Sequence, residues 1–155
     1  MIHEVIKPPQ KREVCHFRTN IFLAGSIEMG VAEKWQARAE KYLEANYTWA
    51  HTIYNPRRDD WDSSWGEDSK ELEEQIRWEL SYINGCDVVV FYFDPATKSP
   101  ITLLELGLCL GSGKEVVVIC PKGFYRRPNV VITCRKFNVP VYETLEEGLD
   151  AILEN

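Results

Sequence analysis

The sequence predicts a three-layer α/β domain built on a flavodoxin-like parallel sheet of about five strands. Short apolar runs alternate with helical patterns along the chain, as expected when crossover helices connect parallel strands. The run VVVFYF at residues 88–93 is continuously apolar, which is typical of a strand buried on both faces of a parallel sheet. A chain of 155 residues suffices for one domain with a single core.

Each predicted element follows from its local pattern. Apolar runs bounded by turn-forming residues predict strands at residues 21–24, 52–54, 88–93, 116–120 and 139–142. Apolar residues at helical spacing predict helices at residues 32–47, 100–110 and 144–153. A further helix is predicted after Asp68 or Ser69, with an apolar stripe formed by Leu72, Ile76, Leu80 and Ile83.

Charge, cysteine usage and the N-terminal segment narrow the class of protein. A net charge of −6 argues against a nucleic-acid polymer as the main ligand, because such binding needs clustered lysines and arginines. The 5 cysteines are scattered, so neither a zinc site nor a disulfide framework is predicted. Residues 1–11 have no apolar segment, and no stretch is long enough to span a bilayer. We therefore expect a cytoplasmic protein that binds a small molecule, without a membrane partner, metal ion or cofactor.

The chain is expected to form one domain with a single ligand-binding crevice. Residues 1–18, which include Pro8-Pro9 and several charges, are interpreted as an N-terminal arm, and residues 19–155 as the domain. In open parallel sheets, ligands bind beyond the carboxyl ends of the strands, where the strand order reverses. This rule places three segments around the crevice, namely residues 25–30, the loop after Asn55, and residues 94–102.

Two glutamates are the candidate catalytic residues. Glu105 lies among leucines near a predicted helix start, and Glu79 interrupts the apolar stripe of its helix. A carboxyl in an apolar environment loses solvation unless a function or a partner requires it. Two such acids at one sheet edge suit glycosidic cleavage, which needs an ionised nucleophile and a protonated acid. The alternatives are a solvent-facing Glu105 favoured by the helix dipole and a Glu79 at the polar edge of its stripe.

Two loops could contribute to substrate binding. Gly25-Ser26-Ile27-Glu28-Met29-Gly30 brings backbone close to a ligand, but it lacks the spacing of dinucleotide-binding and triphosphate-binding loops. In residues 57–65, Trp61 and Trp65 could stack on a base, and Arg57 or Arg58 could pair with a phosphate. Alternatively, the tryptophans pack the loop down, and Asp59, Asp60 and Asp62 neutralise the arginines.

Four segments together resemble the nucleoside 2-deoxyribosyltransferase superfamily over residues 20–120. They are Phe22-Leu23-Ala24-Gly25-Ser26-Ile27, Trp78-Glu79-Leu80, Asp87-Val88-Val89-Val90 and Leu104-Glu105-Leu106-Gly107. Asn55-Pro56-Arg57-Arg58-Asp59-Asp60-Trp61 is similar to the deoxyribosyltransferase-like subset of that superfamily. The resemblance implies that Glu105 attacks C1′ of the sugar and that Glu79 takes the place of the acid, usually Asp, that meets the departing base.

The resemblance also implies further binding residues. The sequence departs from the family pattern at two positions. Ser99, Ser26 and Ile27 match phosphate-side positions of the related deoxynucleoside 5′-monophosphate N-glycohydrolases, which tilts the expected substrate slightly toward a deoxynucleotide. Phe22 stands where a Tyr usually orients the nucleophile, and Glu79 is one methylene longer than Asp. In the family a neighbouring subunit often completes the site, and Asn129 could be such a donor in a homo-oligomer. The predicted substrate-binding residues are Gly25, Ser26, Ile27, Asn55, Arg57, Asp60, Trp61, Asp94, Ser99 and Asn129.

The sequence leaves three functions open. The first is cleavage or transfer at the N-glycosidic bond of 2′-deoxynucleosides or their 5′-monophosphates, through a covalent deoxyribosyl-Glu105 intermediate. The second is a non-catalytic module that binds a nucleotide, which the missing Tyr hydroxyl at Phe22 favours. The third is an N-glycosidase acting on another nucleotide such as NAD.

Overall fold

The computed structural model describes residues 3–28 and 32–154 of the chain. Met29 and Gly30 of the predicted 25–30 loop lie outside the described residues. The strands are β1 (His3–Ile6), β2 (Thr19–Gly25), β3 (His51–Tyr54), β4 (Val88–Tyr92), β5 (Val116–Ile119) and β6 (Val141–Tyr142). The helices are α1 (Trp35–Asn46), α2 (Lys70–Gly85), α3 (Pro100–Ser112), α4 (Arg127–Lys136) and α5 (Leu145–Leu153).

All described strands pair in parallel in one sheet, in the order β1-β3-β2-β4-β5-β6. The predicted three-layer α/β class with a flavodoxin-like arrangement is confirmed. The sheet has 6 strands where the sequence predicts about five. The additional strand is β1, which lies in the segment interpreted as an N-terminal arm and pairs with β3. Ile6, at the end of β1, is fully buried.

Alternating side chains of the sheet supply two apolar layers, one on each face. Phe22 of β2 and Phe91 of β4 pack with side chains of α2, α3 and α4 on one face. Ile21 and Leu23 of β2 pack with side chains of α1 and α5 on the other. Successive residues of a strand point to opposite faces, so a continuously apolar strand fills both layers at once. Within the described residues, no helix is both long and apolar enough to cross a bilayer.

The buried face of α2 differs from the predicted stripe. Ile83 is buried as predicted, whereas Ile76 and Leu80 are each 45% exposed. The helix buries Trp78 and Tyr82 instead, and the ring of Tyr82 stacks on that of Tyr54 from β3 at 4.3 Å between centroids. The prediction for Ile76 and Leu80 was wrong because two aromatic rings remove more apolar area from water than two aliphatic side chains do.

The strand order reverses between β2 and β4, and their carboxyl ends lie side by side. Gly25 at the end of β2 is in register with Tyr92 at the end of β4. A Cβ atom at Gly25 would lie only 2.6 Å from the carbonyl oxygen of Tyr92 and would overlap the indole of Trp35. The two strands therefore meet with no space for a side chain, and the loops that follow them share one edge of the sheet.

Candidate active site

A cavity of about 440 Å³ opens at this edge of the sheet. The predicted site residues that line it are Gly25, Ile27, Trp61, Glu79, Ser99 and Glu105. Three polar residues outside the predicted binding set also line it, namely Glu28, Gln75 and Thr102, and so does Arg58, the alternative to Arg57 as a phosphate partner. The side chains of Leu72, Ile76 and Ile101 form part of the apolar wall of the cavity. The cavity is therefore largely apolar, with a few polar groups around it, as is typical of small-molecule sites.

Glu105 is a buried carboxyl in the wall of the cavity. It lies on α3 and is only 8% exposed, so it is not a solvent-facing acid at a helix start. No hydrogen bond or ion pair engages it in the part of the chain that the structure describes. Burial raises the pKa of Glu105 to about 8, and the negative charge of Glu79 adds to the rise. Its carboxyl is thus without a compensating partner and faces the cavity.

Glu79 lines the same cavity from α2 and is oriented by a glutamine one turn earlier. Gln75 Nε2 donates to Glu79 Oε1 at 3.0 Å and to the carbonyl oxygen of Pro56 at 3.1 Å. Gln75 itself is only 3% exposed. Burial raises the pKa of Glu79 to about 7, although the hydrogen bond from Gln75 opposes the rise. Gln75 therefore positions the carboxyl of Glu79 and favours its charged form.

The pKa values of both carboxyls are raised toward neutral pH. Their pKa values of about 7 and about 8 lie close together, so the pair is neither fully ionised nor fully protonated there. The hydrogen bond from Gln75 favours charge on Glu79 and the proton on Glu105. The reverse arrangement, with charge on Glu105, is close to it in free energy because the pKa values of both carboxyls are raised to similar values. Both arrangements are thus accessible.

Three hydroxyl groups beside the cavity bond to one another. Ser26 Oγ pairs with Ser99 Oγ, and Thr97 Oγ1 lies 2.7 Å from Ser99 Oγ and 3.0 Å from Ser26 Oγ. Ser26 Oγ also accepts from the backbone N–H of Asp94 at 2.8 Å. The carboxylate of Asp94 accepts from the backbone N–H of Glu33 at 2.8 Å. This network joins the loop after β2 to the loop after β4 and fixes the start of α3.

Several predicted binding residues make contacts away from the cavity lining. Asn55 Nδ2 donates to Glu40 Oε1 at 2.6 Å, and Arg57 donates to the carbonyl oxygens of Ala32 and Glu33. Asp60 pairs with Arg58 at the surface, and Asn129 is exposed on α4. Together with Ser26 and Asp94, these residues surround the site or lie apart from it, and their substrate contacts stay predictions.

The tryptophans of the 57–65 loop pack on each other beside the cavity. The rings of Trp61 and Trp65 lie 5.2 Å apart in an edge-to-face arrangement, and the guanidinium of Arg58 lies 5.1 Å from the centroid of Trp65. Asp60 neutralises Arg58 at 2.9 Å. Trp61 is 36% exposed and lines the cavity, so one face of an aromatic ring remains available to a ligand.

No metal site is evident from the described residues, and Phe22 carries no hydroxyl. No group of three or more His, Cys, Asp or Glu side chains among them is arranged to hold a metal ion. Phe22 is fully buried, with its ring centroid 6.1 Å from that of Trp78, and it has no hydroxyl to orient a carboxyl.

Fold and site together define a parallel α/β domain with two buried acids in a cavity beyond the carboxyl ends of its strands. The family model described as "Nucleoside 2-deoxyribosyltransferase like" matches residues 18–124, and the chain belongs to this family. The resemblance inferred from the sequence motifs is thereby confirmed. At the level of the family, membership associates the chain with glycosyl transfer on nucleosides and with binding of a small nucleoside-related molecule.

Structural comparison adds support for the fold. A crystal structure described as a conserved protein from Enterococcus faecalis V583 is similar, with a TM-score of 0.63 and 18% sequence identity. The alignment covers 88% of this chain and 98% of that one. No curated protein matches the sequence. At this identity the likeness concerns the fold alone.

Proposed function

We propose that the protein cleaves the N-glycosidic bond of 2′-deoxynucleosides or their 5′-monophosphates, or transfers the sugar to a second base, through a covalent deoxyribosyl-Glu105 intermediate. The observation that carries this proposal is the pair of buried carboxyls, Glu105 and Glu79, in one cavity. Membership of the nucleoside 2-deoxyribosyltransferase-like family supports the same class of reaction.

The reaction would proceed in two displacements at C1′. In the first, an oxygen of ionised Glu105 bonds to C1′ while the bond from C1′ to the base nitrogen breaks, and its electron pair leaves with the base. Protonated Glu79 gives its proton to the departing base. In the second, water or another base attacks C1′, the bond to Glu105 breaks, and Glu79 accepts the proton that the nucleophile loses.

The other lining residues suit a nucleoside with its planar base. Trp61 offers an aromatic face on which a base can stack, and Leu72 and Ile76 extend the apolar wall. Gln75 keeps Glu79 in place through a 3.0 Å hydrogen bond. Because the cavity is largely apolar, the attraction between the positive charge that develops at the anomeric carbon and the negative charge of ionised Glu105 is weakly screened.

Base release by the purified protein tests the proposal. We expect free base from 2′-deoxynucleosides or their monophosphates, detected by chromatography, with slower release from ribonucleosides and from NAD. Addition of a second free base then separates transfer from hydrolysis, because only transfer yields a new nucleoside. Saturable binding without base release across this panel would contradict the proposal and favour a non-catalytic binding module.

We further propose that a second copy of the chain covers the exposed apolar side chains of α2 and α3. These side chains are Ile76, Leu80, Ile101, Leu104 and Leu108, each between 45% and 60% exposed. Ile76 and Ile101 also line the cavity, so a partner there would shield the site from water. Exposed apolar patches of this kind commonly mark interfaces.

All described cysteines are free, and we propose the reducing cytoplasm as the location.

Sedimentation equilibrium tests the proposed homo-oligomer. We expect the wild-type protein to be a dimer or larger, and Leu104→Glu to shift it to monomer, because a buried charge in the interface is costly. Ile132→Glu is the matched control, since Ile132 is 61% exposed on α4, outside the proposed surface. A monomeric wild-type protein would rule out this surface as a self-association site.

A further inference from the structure

Glu28 places a carboxylate at the N-terminus of α3, inside the cavity. Its Oε1 accepts from the backbone N–H of Lys98 at 2.5 Å and from the backbone N–H of Ser99. Glu28 and Ser99 both line the cavity, together with Glu105. Unpaired N–H groups and the helix dipole make a helix N-terminus attractive to anions. Here that position is already filled by a side chain of the protein itself.

The backbone around this contact is held in an uncommon conformation. Glu28 has φ 40° and Ser99 has φ 49°, in the left-handed region that residues with a Cβ seldom adopt. The backbone N–H groups of Lys98 and Ser99, just before α3, each donate a hydrogen bond to the carboxylate of Glu28. The carboxylate therefore has two backbone N–H donors that keep it at the cavity wall.

The cavity lining has little positive charge to balance a second anion at the start of α3. Of the described residues that line it, Arg58 alone has a cationic side chain, and Asp60 already neutralises that charge at 2.9 Å. The hydroxyls of Ser26, Thr97 and Ser99 are engaged with one another. A dianionic phosphate at the start of α3 would thus meet a carboxylate and no unpaired cation from the described lining.

The spacing along α3 is compatible with Glu28 at the 5′ end of a sugar bound at Glu105. Glu105 is six residues after Ser99, which corresponds to about 9 Å along a helix axis. A deoxyribose whose C1′ faces Glu105 can direct its 5′ substituent toward Ser99 and Glu28 across this distance. A neutral 5′-hydroxyl there can donate a hydrogen bond to the carboxylate, whereas a phosphate is repelled by it.

We infer that Glu28 is a specificity-determining residue that makes the site select 2′-deoxynucleosides with a free 5′-hydroxyl and reject their 5′-monophosphates. This inference rests on the proposed function. The inferred substrate also differs from the deoxynucleotide that the sequence resemblance slightly favours. The decisive feature is a carboxylate seated on the two backbone N–H groups that would otherwise receive a phosphate.

Competing substrates test the inference. We expect wild-type kcat/KM to be at least about tenfold higher for a 2′-deoxynucleoside than for its 5′-monophosphate. In Glu28→Gly and Glu28→Gln, the ratio of the two kcat/KM values should move toward the monophosphate by about tenfold. Glycine adopts positive φ without strain and glutamine keeps the side-chain length, so misfolding of both variants is not expected. A wild-type preference for the monophosphate, or an unchanged ratio, would overturn the inference.

A charge control and a binding measurement separate this inference from the proposed function. Glu33→Gln removes one nearby, half-exposed carboxylate that does not line the cavity, and it should change the ratio by about twofold or less. Titration with inorganic phosphate should shift the amide NMR signals of Lys98 and Ser99 in Glu28→Gly at concentrations that leave the wild type unchanged. Equal shifts in both proteins would refute anion exclusion by Glu28. If the wild type releases no base, the reaction is refuted, while this titration still decides what Glu28 does.

Discussion

Replacement of Glu105 by Gln is expected to lower kcat for base release by about a thousandfold or more. Glutamine has nearly the same shape, so the cavity remains, but an amide oxygen is a poor nucleophile and cannot form the ester to C1′. Rapidly quenched wild-type protein should gain the mass of one deoxyribosyl group, and the variant should not. An active Glu105→Gln protein without this adduct would remove Glu105 as the nucleophile.

Unfolding experiments provide the control for this variant. The pKa of Glu105 rises from 4.5 in its ordinary state to about 8 in the fold, so the folded state binds the proton more tightly than the unfolded state does. The free energy of unfolding of the wild type therefore falls as pH rises from about 4.5 toward 8. Glu105→Gln lacks this contribution and should be more stable than wild type at pH 8 by on the order of 2 kcal/mol, but not at pH 4. The exposed Glu115 gives the matched variant, Glu115→Gln, which should retain wild-type activity.

Replacement of Glu79 by Gln is expected to lower kcat by about a hundredfold to ten-thousandfold for substrates whose base must be protonated as it leaves. The loss should be much smaller for 7-methyl-2′-deoxyguanosine, whose base departs as a neutral molecule without a proton from the enzyme. This difference between substrates distinguishes an acid catalyst from a residue that only shapes the cavity. Equal losses on both substrates would contradict the acid role.

The same variant should change the pH dependence of the reaction in a defined direction. The acidic limb of the kcat profile should remain, because it reports ionisation of Glu105 in the form of the pair in which Glu79 carries a proton and no charge. The alkaline limb, at which the wild-type pair loses its second proton and with it the general acid, should disappear. Glu71→Gln, an exposed position on the same helix, should leave both limbs in place.

The fold and the two acids were predictable because their signals are local. A strand buried on both faces needs a continuous apolar run, and the sequence 88–93 has one. Glu105 is conspicuous because leucines surround it in sequence, and the structure buries it. The prediction of Glu79 relied on a stripe that included Ile76 and Leu80, which are exposed. Glu79 nevertheless lines the cavity, because the neighbouring Trp78 and Gln75 are on the buried face of the helix.

Gln75, Glu28 and Arg57 acquire their roles from distant parts of the chain. Gln75 looks like one more polar residue in an acidic helix, yet it is buried and bonded to Pro56. The role of Glu28 depends on its contact with a helix about 70 residues later, which no local pattern reveals. Arg57 was predicted as a possible phosphate ligand, but its guanidinium donates to two backbone carbonyls of the loop before α1. Such tertiary partners are set by the assembled sheet and cannot be derived from spacing.

The close approach of β2 and β4 at Gly25 limits how the dimensions of the cavity can vary. Even a methyl group there would collide with the carbonyl oxygen of Tyr92 and the indole of Trp35, so β2 and β4 approach each other through main-chain atoms where their loops begin. Trimming or enlarging side chains cannot alter this dimension. Bulkier ligands would have to be accommodated elsewhere in the lining, where residues such as Trp61 and Leu72 contribute side chains that substitution can resize.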